Sequence, residues 1–579
     1  MAGSMRRIVS PLALAVAAAT ACTSSDPGNS PPPPSSSFVS NPCSPSSTVT
    51  LAAAGTAVLD CSGGGTTVTL AAAGASYLIV PQFATNLVAN QLVPYSLGSG
   101  TIAAAIRASS GIDATSPTAV MPPRDGPGAA QARFEAALFE RNRALVSAST
   151  VLPATRRGGA LLLPPTLGST RDFRVLSNET TGTFGTVTAT LAYLGNNVYL
   201  YVDNAAPANG FTASQLTDFG QLFDQTFYTV ATAAFGSPSD VDGNGHVIML
   251  ISPVVNALSP ASRCATEGYI AGYFTSQDFN GASDPNSNQG EVFYSVAPDP
   301  AGTVSCTHSV ASIGQVVPAT FIHELQHLIN YSQHVVVNRG LSLSSWLDEG
   351  MSILSEELGS LYYENKCPPP SCRTNPAQLF PDSSQGFAQG FLYDSYQYAL
   401  GPDTASITLH QSHDAGFGWH GGAYLLVRYL GDQFGAGVFR SLETGPSDAL
   451  AAITAATGRP FAATFANYGL ALYADSFPGL PRATAPTANR FTTRNLRQLW
   501  ARIFVTSHLA REMPLQVKSI QSATTAGSSS MVPGTMSFWR LDTSPSDATV
   551  SIRFATPAGG TFGSALRGQV AIMRLPTGQ

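Results

Sequence analysis

Charge is scarce in this sequence. Charged residues make up 11% of the 579 residues, and lysine occurs only as Lys366 and Lys518. No basic run or arginine-rich stripe is present, whereas nucleic-acid binding depends on clustered positive charge that neutralises phosphates. The composition therefore argues against a nucleic-acid partner. Because the apolar content of 44% is ample for buried cores, it also argues against global disorder.

Long apolar runs are missing beyond the N-terminus. No later stretch reaches the roughly 18 uninterrupted apolar residues that a membrane-spanning helix needs. Residues 1–21 combine a short basic start, an apolar stretch and small residues, which predicts a signal peptide. Their end, Ala19-Thr20-Ala21-Cys22, resembles the bacterial lipobox and implies lipidation of Cys22. We expect an exported lipoprotein of the bacterial cell envelope, at the outer membrane or cell surface. An ordinary secretory signal, with release from the cell, is the alternative.

Cysteines are few and include no CxxC pair, so a cysteine-ligated metal cluster is not expected. Apart from Cys22, the cysteines fall into three pairs that are local in sequence. Cysteines of an exported protein are expected to form disulfides. Among the pairings that six cysteines allow, we predict Cys43–Cys61, Cys264–Cys306 and Cys367–Cys372.

The chain is too long for one compact domain, and shifts in composition divide it. Thr/Val/Leu segments separated by turns predict strands near both ends, and an amphipathic pattern predicts a helix over 129–146. We divide the chain into a signal peptide (1–21), a lipidated cysteine with a Pro/Ser tether (22–47), an N-terminal β domain (48–115), a linker with a helix (116–170), a large mixed unit (171–480) and a C-terminal β domain (510–579).

One segment carries a chemical motif, since residues 321–327 read Phe-Ile-His-Glu-Leu-Gln-His and contain HExxH. On a helix, His323 and His327 lie one turn apart on one face, so both imidazoles can reach one zinc ion. Glu324 lies about 100° further round, close enough to act on a water bound to that ion. The apolar residues of the segment fall on the opposite face, as expected of a helix that is half buried. Pro318 indicates the first turn of this helix.

A third zinc ligand separates this motif from an accidental match, because catalytic zinc generally takes three protein ligands. The extended motif HExxHxxGxxH is excluded, because Asn330 and Gln333 occupy the positions where it requires Gly and His. The other route places a glutamate on a second helix. Glu349, in the segment Trp-Leu-Asp-Glu-Gly-Met-Ser, lies twenty-two residues after His327 and suits a helix that returns antiparallel to the first.

The strings HELQHLIN and WLDEGMS resemble the gluzincin metallopeptidases, and most closely the hyicolysin family of secreted bacterial peptidases. The resemblance covers about residues 171–440. It implies that His323, His327 and Glu349 bind zinc and that Glu324 is the general base. It implies an α+β fold in which 171–480 form a thermolysin/gluzincin-like peptidase domain with a mixed sheet and a helical half, flanked by small N- and C-terminal β-sandwich domains. Aminopeptidase relatives carry a GxMEN motif that is missing here, so we expect an endopeptidase.

Two further roles are left with alternatives. The oxyanion of peptide hydrolysis needs a donor besides zinc, and this chain has His420 where family members tend to have Tyr. We choose His420 as that catalytic donor, although its ring could instead cap a helix or lie at the surface. Asp348 and Glu356 are candidates for orienting zinc-bound imidazoles, and a capping role or a solvated helix face is as plausible for them.

A second metal is left open at residues 240–245, which resemble the beginning of a calcium loop. Ile251 stands where an EF-hand has Glu, so a tight turn before a buried strand is favoured over Ca²⁺.

Together the motifs predict a secreted, membrane-anchored zinc endopeptidase that acts on polypeptide substrates, and we expect a monomer. The rival is a surface lipoprotein that binds partners through its β domains and keeps a non-catalytic zinc site. A further alternative makes residues 43–170 a removable prosegment.

Overall fold

A computed structural model describes most of the chain after the predicted tether. The described residues are 38, 40–44, 48–87, 91–99, 128–148, 164–367, 385–409, 418–482, 485–507, 511–521 and 527–576. The predicted signal peptide and Cys22 lie outside them. No helix within these residues is long and apolar enough to cross a membrane.

Six strands and one helix come first. The strands are β1 (Ser40–Pro42), β2 (Thr48–Val49), β3 (Thr56–Asp60), β4 (Thr67–Ala71), β5 (Ser76–Phe83) and β6 (Val93–Ser99), and the helix is α1 (Ala129–Ala148). Strand β1 lies inside the segment predicted as tether and pairs with β3. Residues 40–42 therefore belong to a sheet and not to a tether.

A six-stranded mixed sheet follows, with short helices between its strands. Its elements are β7 (Thr170–Asn178), β8 (Thr183–Leu194), β9 (Val198–Asp203), α2 (Ala213–Leu222), α3 (Tyr228–Phe235), β10 (Val247–Ile251), α4 (Pro253–Ala257), α5 (Ala261–Glu267), β11 (Gly272–Phe274) and β12 (Val292–Ser295). The strand order is β11-β12-β10-β9-β8-β7, with β9, β10 and β12 parallel and the others antiparallel to their neighbours. Strand β11 therefore lies at an edge of the sheet.

The next part of the chain is helical. Its helices are α6 (Val310–Tyr331), α7 (Ser345–Lys366), α8 (Gln385–Leu400), α9 (Gly418–Phe434), α10 (Gly437–Glu443), α11 (Ala449–Thr457), α12 (Phe461–Ala474) and α13 (Leu496–Ser507). The mixed sheet and these helices share one hydrophobic core. The chain is thus an α+β protein, as the sequence predicts.

Five strands lie near the C-terminus, and four of them pair with strands among the first six. They are β13 (Val517–Gln521), β14 (Gly527–Met531), β15 (Phe538–Asp542), β16 (Thr549–Ala555) and β17 (Gly568–Arg574). One sheet has the order β1-β3-β17-β5-β15-β13, the other β14-β6-β16-β4-β2. Side chains from both sheets form one core, in which the indole N–H of Trp539 donates to the Tyr95 hydroxyl at 2.9 Å.

This sandwich corrects the prediction of two separate β domains at 48–115 and 510–579. Alternating hydrophobicity specifies which face of a strand is buried but not which strand it pairs with. Each segment alone would leave long strand edges unpaired, and pairing between the segments satisfies them.

Two of the three predicted disulfides are confirmed. Cys43 is bonded to Cys61 and Cys264 to Cys306. Cys372, the predicted partner of Cys367, lies outside the described residues.

Candidate active site

Helix α6 carries the HExxH segment. The Ser309 hydroxyl caps its start by accepting from the Ser312 N–H at 3.1 Å. The helix begins before the position that Pro318 indicated, and the proline lies in its interior, where it removes one backbone hydrogen bond. The predicted apolar face is confirmed, because Phe321, Ile322, Leu325, Leu328 and Ile329 are fully buried.

Helix α7 brings Glu349 to the two histidines. Contacts pair Ile322 with Ser355 and His327 with Asp348, so numbers rise along α6 as they fall along α7. The two helices are therefore antiparallel, as the sequence predicts.

Three side-chain atoms form a small triangle at this contact. The His323 and His327 Nε2 atoms are 3.2 Å apart. The Glu349 Oε2 atom lies 3.6 Å from the first and 3.5 Å from the second. For a tetrahedral zinc ion with bonds of about 2.0–2.2 Å, ligand atoms are expected at about this spacing.

Carboxylates lie behind both imidazoles. The Nδ1 atom of His323 is 2.7 Å from Glu356 Oε1, and that of His327 is 3.0 Å from Asp348 Oδ2. Such contacts fix the ring orientation of metal-binding histidines. These positions suit the orienting role for Asp348 and Glu356 and argue against a solvated helix face.

The chemistry of the three atoms in this triangle suits a divalent cation. Glu349 Oε2 is buried without a hydrogen-bond partner, and buried oxygens rarely stay unpaired. Burial alone would lower the pKa of His323, but the neighbouring carboxylates of Glu349 and Glu356 raise it well above its ordinary value. Burial would also lower the pKa of His327, but Asp348 and Glu349 raise it well above its ordinary value. A metal ion would replace these protons and neutralise the carboxylates.

Glu324 lies beside the triangle and under the edge strand. Burial raises its pKa to about 7, against the lowering effect of the two imidazoles. A Cβ atom at Gly272 of β11 would overlap the Thr320 side chain and the Tyr294 carbonyl, and would lie 3.6 Å from Glu324 Oε1. Glycine thus lets the sheet edge approach the side chain that could serve as a base.

His420 reaches the same place from the first turn of α9. A Cβ at Gly350 would already stand 2.9 Å from the Ala423 carbonyl carbon, so α7 and α9 lie in close contact. His420 is buried, and its ligand atom lies within 4.8 Å of those of Glu349 and Glu135. Burial lowers its pKa to about 4, so the ring is neutral and carries one N–H.

Glu135 is a site residue that the sequence reasoning missed. It belongs to α1, which the sequence predicted as a helix within a linker, and its Oε2 atom lies 3.4 Å from His420 Nε2. Nothing in the pattern of α1 distinguishes this glutamate from a solvent-facing one, because periodicity carries no information about distant partners.

A second acidic cluster lies at the predicted turn. Ligand atoms of Asp240, Asp242 and Glu291 lie within 4.8 Å of one another. Glu291 is fully buried and its Oε2 atom has no hydrogen-bond partner. Burial raises its pKa to about 7, although Ser239 and the Val241 N–H hydrogen-bond to it. The sequence reasoning missed Glu291, because Glu291 lies too far beyond residues 240–245 to belong to a contiguous calcium motif.

The α+β fold and a His/His/Glu triangle supported by carboxylates are typical of metal-dependent peptidases. No protein-family model matches the chain. Part of it is 29% identical over 191 residues to a neutral metalloprotease, ShpI, of Staphylococcus hyicus. The match covers 33% of this chain and 39% of that protein, so the chain spans about two fifths of its relative's length. This similarity supports a relationship to metallopeptidases in general rather than to one family of them.

Proposed function

We propose that the chain is a zinc-dependent endopeptidase of the bacterial cell envelope, anchored through Cys22 and acting on extended polypeptides. One observation carries the proposal: the triangle of His323, His327 and Glu349 with the buried carboxyl of Glu324 beside it. The partial similarity to a neutral metalloprotease supports the same reaction class.

The residues divide the chemistry among them. His323, His327 and Glu349 would hold zinc, which when bound polarises a peptide carbonyl and makes water more acidic. Glu324 takes a proton from the attacking water on a carboxylate oxygen and passes it to the leaving amine nitrogen. A general base works best when its pKa is near the working pH, and burial moves that of Glu324 in this direction.

His420 is the proposed donor to the oxyanion that forms as water attacks. Its neutral ring offers one N–H, and its place beside Glu349 would bring that donor to the reacting carbonyl. Asp348 and Glu356 would act through the histidines by holding their rings in orientation.

The substrate backbone is proposed to pair with the edge strand. Strand β11 pairs with β12 on one side and ends the sheet on the other. An extended peptide can add to such an edge by main-chain hydrogen bonds. Because Glu324 lies beneath Gly272, that peptide would pass directly over the proposed base.

Calcium is the second metal that we propose, at Asp240, Asp242 and Glu291. The buried Oε2 atom of Glu291 supports it, because Ca²⁺ binds carboxylate oxygens and would remove the repulsion among three carboxylates.

Hydrolysis of casein and of a quenched fluorescent peptide tests the function, with Glu324→Gln as the comparison. Zinc content is measured in both proteins by mass spectrometry. Turnover by the parent protein and its loss in the variant, at equal zinc content, supports the peptidase. The same pair is compared with Gln131→Ala and Glu135→Gln added, since both side chains line the site. Equal inertness of all four zinc-loaded proteins favours the rival, a binding lipoprotein that keeps zinc without catalysis.

A further inference from the structure

Helix α1 lies in the cleft where a substrate would bind. The Gln131 side-chain amide donates to the Gly272 carbonyl at 3.3 Å and accepts from the Ala271 N–H at 2.9 Å. These backbone groups belong to the edge strand and the residue before it. They are the donor and acceptor that an extended peptide would use there, so Gln131 occupies the place of a substrate peptide group.

One turn further along α1, Glu135 reaches the side of the proposed metal site formed by Glu349 and His420. Its Oε1 atom accepts from the Gln131 amide at 2.8 Å, while Oε2 is buried without a hydrogen-bond partner. Ligand atoms of Glu135 and Glu349 lie within 4.8 Å of each other. Two buried carboxylates at this distance repel each other unless a cation lies between them or one is protonated.

The cleft is divided by these two side chains. A cavity of about 560 Å³ and a smaller one of about 60 Å³ are both lined by Gln131, Glu135, His323 and Glu324. Gln131 and Glu135 therefore border the free space beside His323 and Glu324, and only the larger cavity has room for a peptide segment.

Further contacts hold α1 in this position. Phe134 is buried against Tyr273, with ring centroids 5.3 Å apart. Near the other end of the helix, Asn142 Oδ1 accepts from the Ser276 N–H at 3.1 Å. Arg133 forms an ion pair with Glu267. These contacts lie along the sheet edge, so the helix is docked and not merely nearby.

The strands before α1 alternate with later strands of the chain in both sheets of the sandwich. Strand β5 lies between β15 and β17, and β16 lies between β4 and β6. Loss of residues 43–170 as a prosegment would remove the middle of both sheets. Any release of the cleft must therefore move α1 while the strands before it stay in place.

We propose that α1 is an internal latency segment, in which Gln131 takes the place of substrate backbone on the edge strand and Glu135 acts as a further ligand to the active-site metal. This inference rests on the proposed function. While α1 is docked, a peptide cannot pair with the edge strand beside Glu324, and Glu135 takes the metal position that the attacking water would need. Displacement of α1 frees that position.

The test compares the zinc-loaded full-length protein with Gln131→Ala, Glu135→Gln and the double variant. Glu140→Gln is the matched control, because Glu140 is an exposed glutamate on the same helix. Calorimetry measures binding of N-acetyl-Leu-Gly hydroxamate, a zinc-binding peptide analogue. We expect the double variant to bind it roughly tenfold or more tightly than the parent protein, because two contacts that hold α1 are lost. The control should bind like the parent. Equal affinity in all proteins would overturn the proposal.

Hydrogen exchange gives a readout that is independent of turnover. We expect zinc to slow amide exchange in α1 of the parent protein and to have little effect on α1 in Glu135→Gln. Exchange in α1 that is the same with and without zinc in the parent would contradict metal ligation by Glu135. If Glu135→Gln does not fold, as judged by its melting curve, Gln131→Ala with the hydroxamate carries the test alone.

Failure of latency and failure of the proposed function are separable. Tighter hydroxamate binding without peptide hydrolysis in the double variant means that α1 covers the site but the site is not a peptidase. Full hydrolysis by the parent, unchanged in every α1 variant, means that the peptidase stands and the latency does not.

Discussion

At the scale of single residues, the site depends on groups whose charge is set by burial and by close partners. His323 and His327 hold their protons because carboxylates surround them, whereas His420 loses its proton because it is desolvated. Carboxylate partners and desolvation thus set opposite charges on the same kind of ring. Two predictions follow from this difference.

Zinc affinity should depend steeply on pH. The raised pKa values of His323 and His327 favour proton binding by this pair in the metal-free protein, because carboxylates surround the two rings. Zinc must displace those protons, so its apparent affinity should rise with pH by up to about tenfold per unit for each proton released. Competition with a chromophoric chelator at several pH values measures this. An affinity that does not change between about pH 6 and pH 8 would contradict the assignment of these ligands.

Replacing His420 should reduce turnover more than substrate binding. We expect His420→Leu to lower kcat by roughly a hundredfold or more with little change in KM, because an oxyanion donor acts in the transition state. His420→Gln keeps an N–H donor and should recover part of the loss. Steady-state kinetics measures both effects, with Gln131→Ala and Glu135→Gln present in every protein so that α1 does not cover the site. A wild-type kcat in the leucine variant would rule out the donor role.

At the scale of elements, local sequence patterns predicted what each helix and strand does on its own. The 3.6-residue period of α6 gave its buried face correctly, and the spacing of HExxH and Glu349 predicted two antiparallel helices meeting at the ligands. Glu135 and Glu291 were not predictable in this way, because each reaches its cluster from an element far away in sequence. A carboxylate without a nearby motif looks like an ordinary surface residue.

Calcium should stabilise the protein through the loop before β10. We expect Ca²⁺ titrated into zinc-loaded, calcium-free protein to raise its Tm, because a ligand that binds only the folded state stabilises it. Glu291→Gln should lose this response. Without calcium, its Tm should equal or exceed that of the parent, since the amide avoids a buried charge. Differential scanning calorimetry measures both. A calcium response of equal size in the variant would remove Glu291 from the site.

At the scale of the whole molecule, the strands of residues 40–99 and 517–574 form one structural unit. The sandwich packs on the helical part, where the Gln569 side chain donates to the Ala462 carbonyl of α12 at 2.8 Å. The sequence indicated strands at both ends, but pairing across several hundred residues leaves no local signal, so two domains were predicted where one exists.

Removing the last strand should unfold both ends of the chain. Strand β17 pairs with β3 and β5, so deletion of residues 568–579 exposes two edges in the middle of a sheet. We expect the truncated protein to be insoluble or to melt without a cooperative transition, whereas deletion of 577–579 should be tolerated. Calorimetry and limited proteolysis compare them. A truncated protein in which residues 48–99 stay protease-resistant would support two independent β domains instead.

The central claim is that Glu324 performs base catalysis beside a metal held by His323, His327 and Glu349. Its most direct test is the rate of peptide hydrolysis by zinc-loaded Gln131→Ala, Glu135→Gln protein with and without Glu324→Gln. We predict equal zinc content and a loss of kcat by a factor of about 10²–10⁴ when the base is removed. Hydrolysis at an unchanged rate in the Glu324→Gln protein would contradict the account.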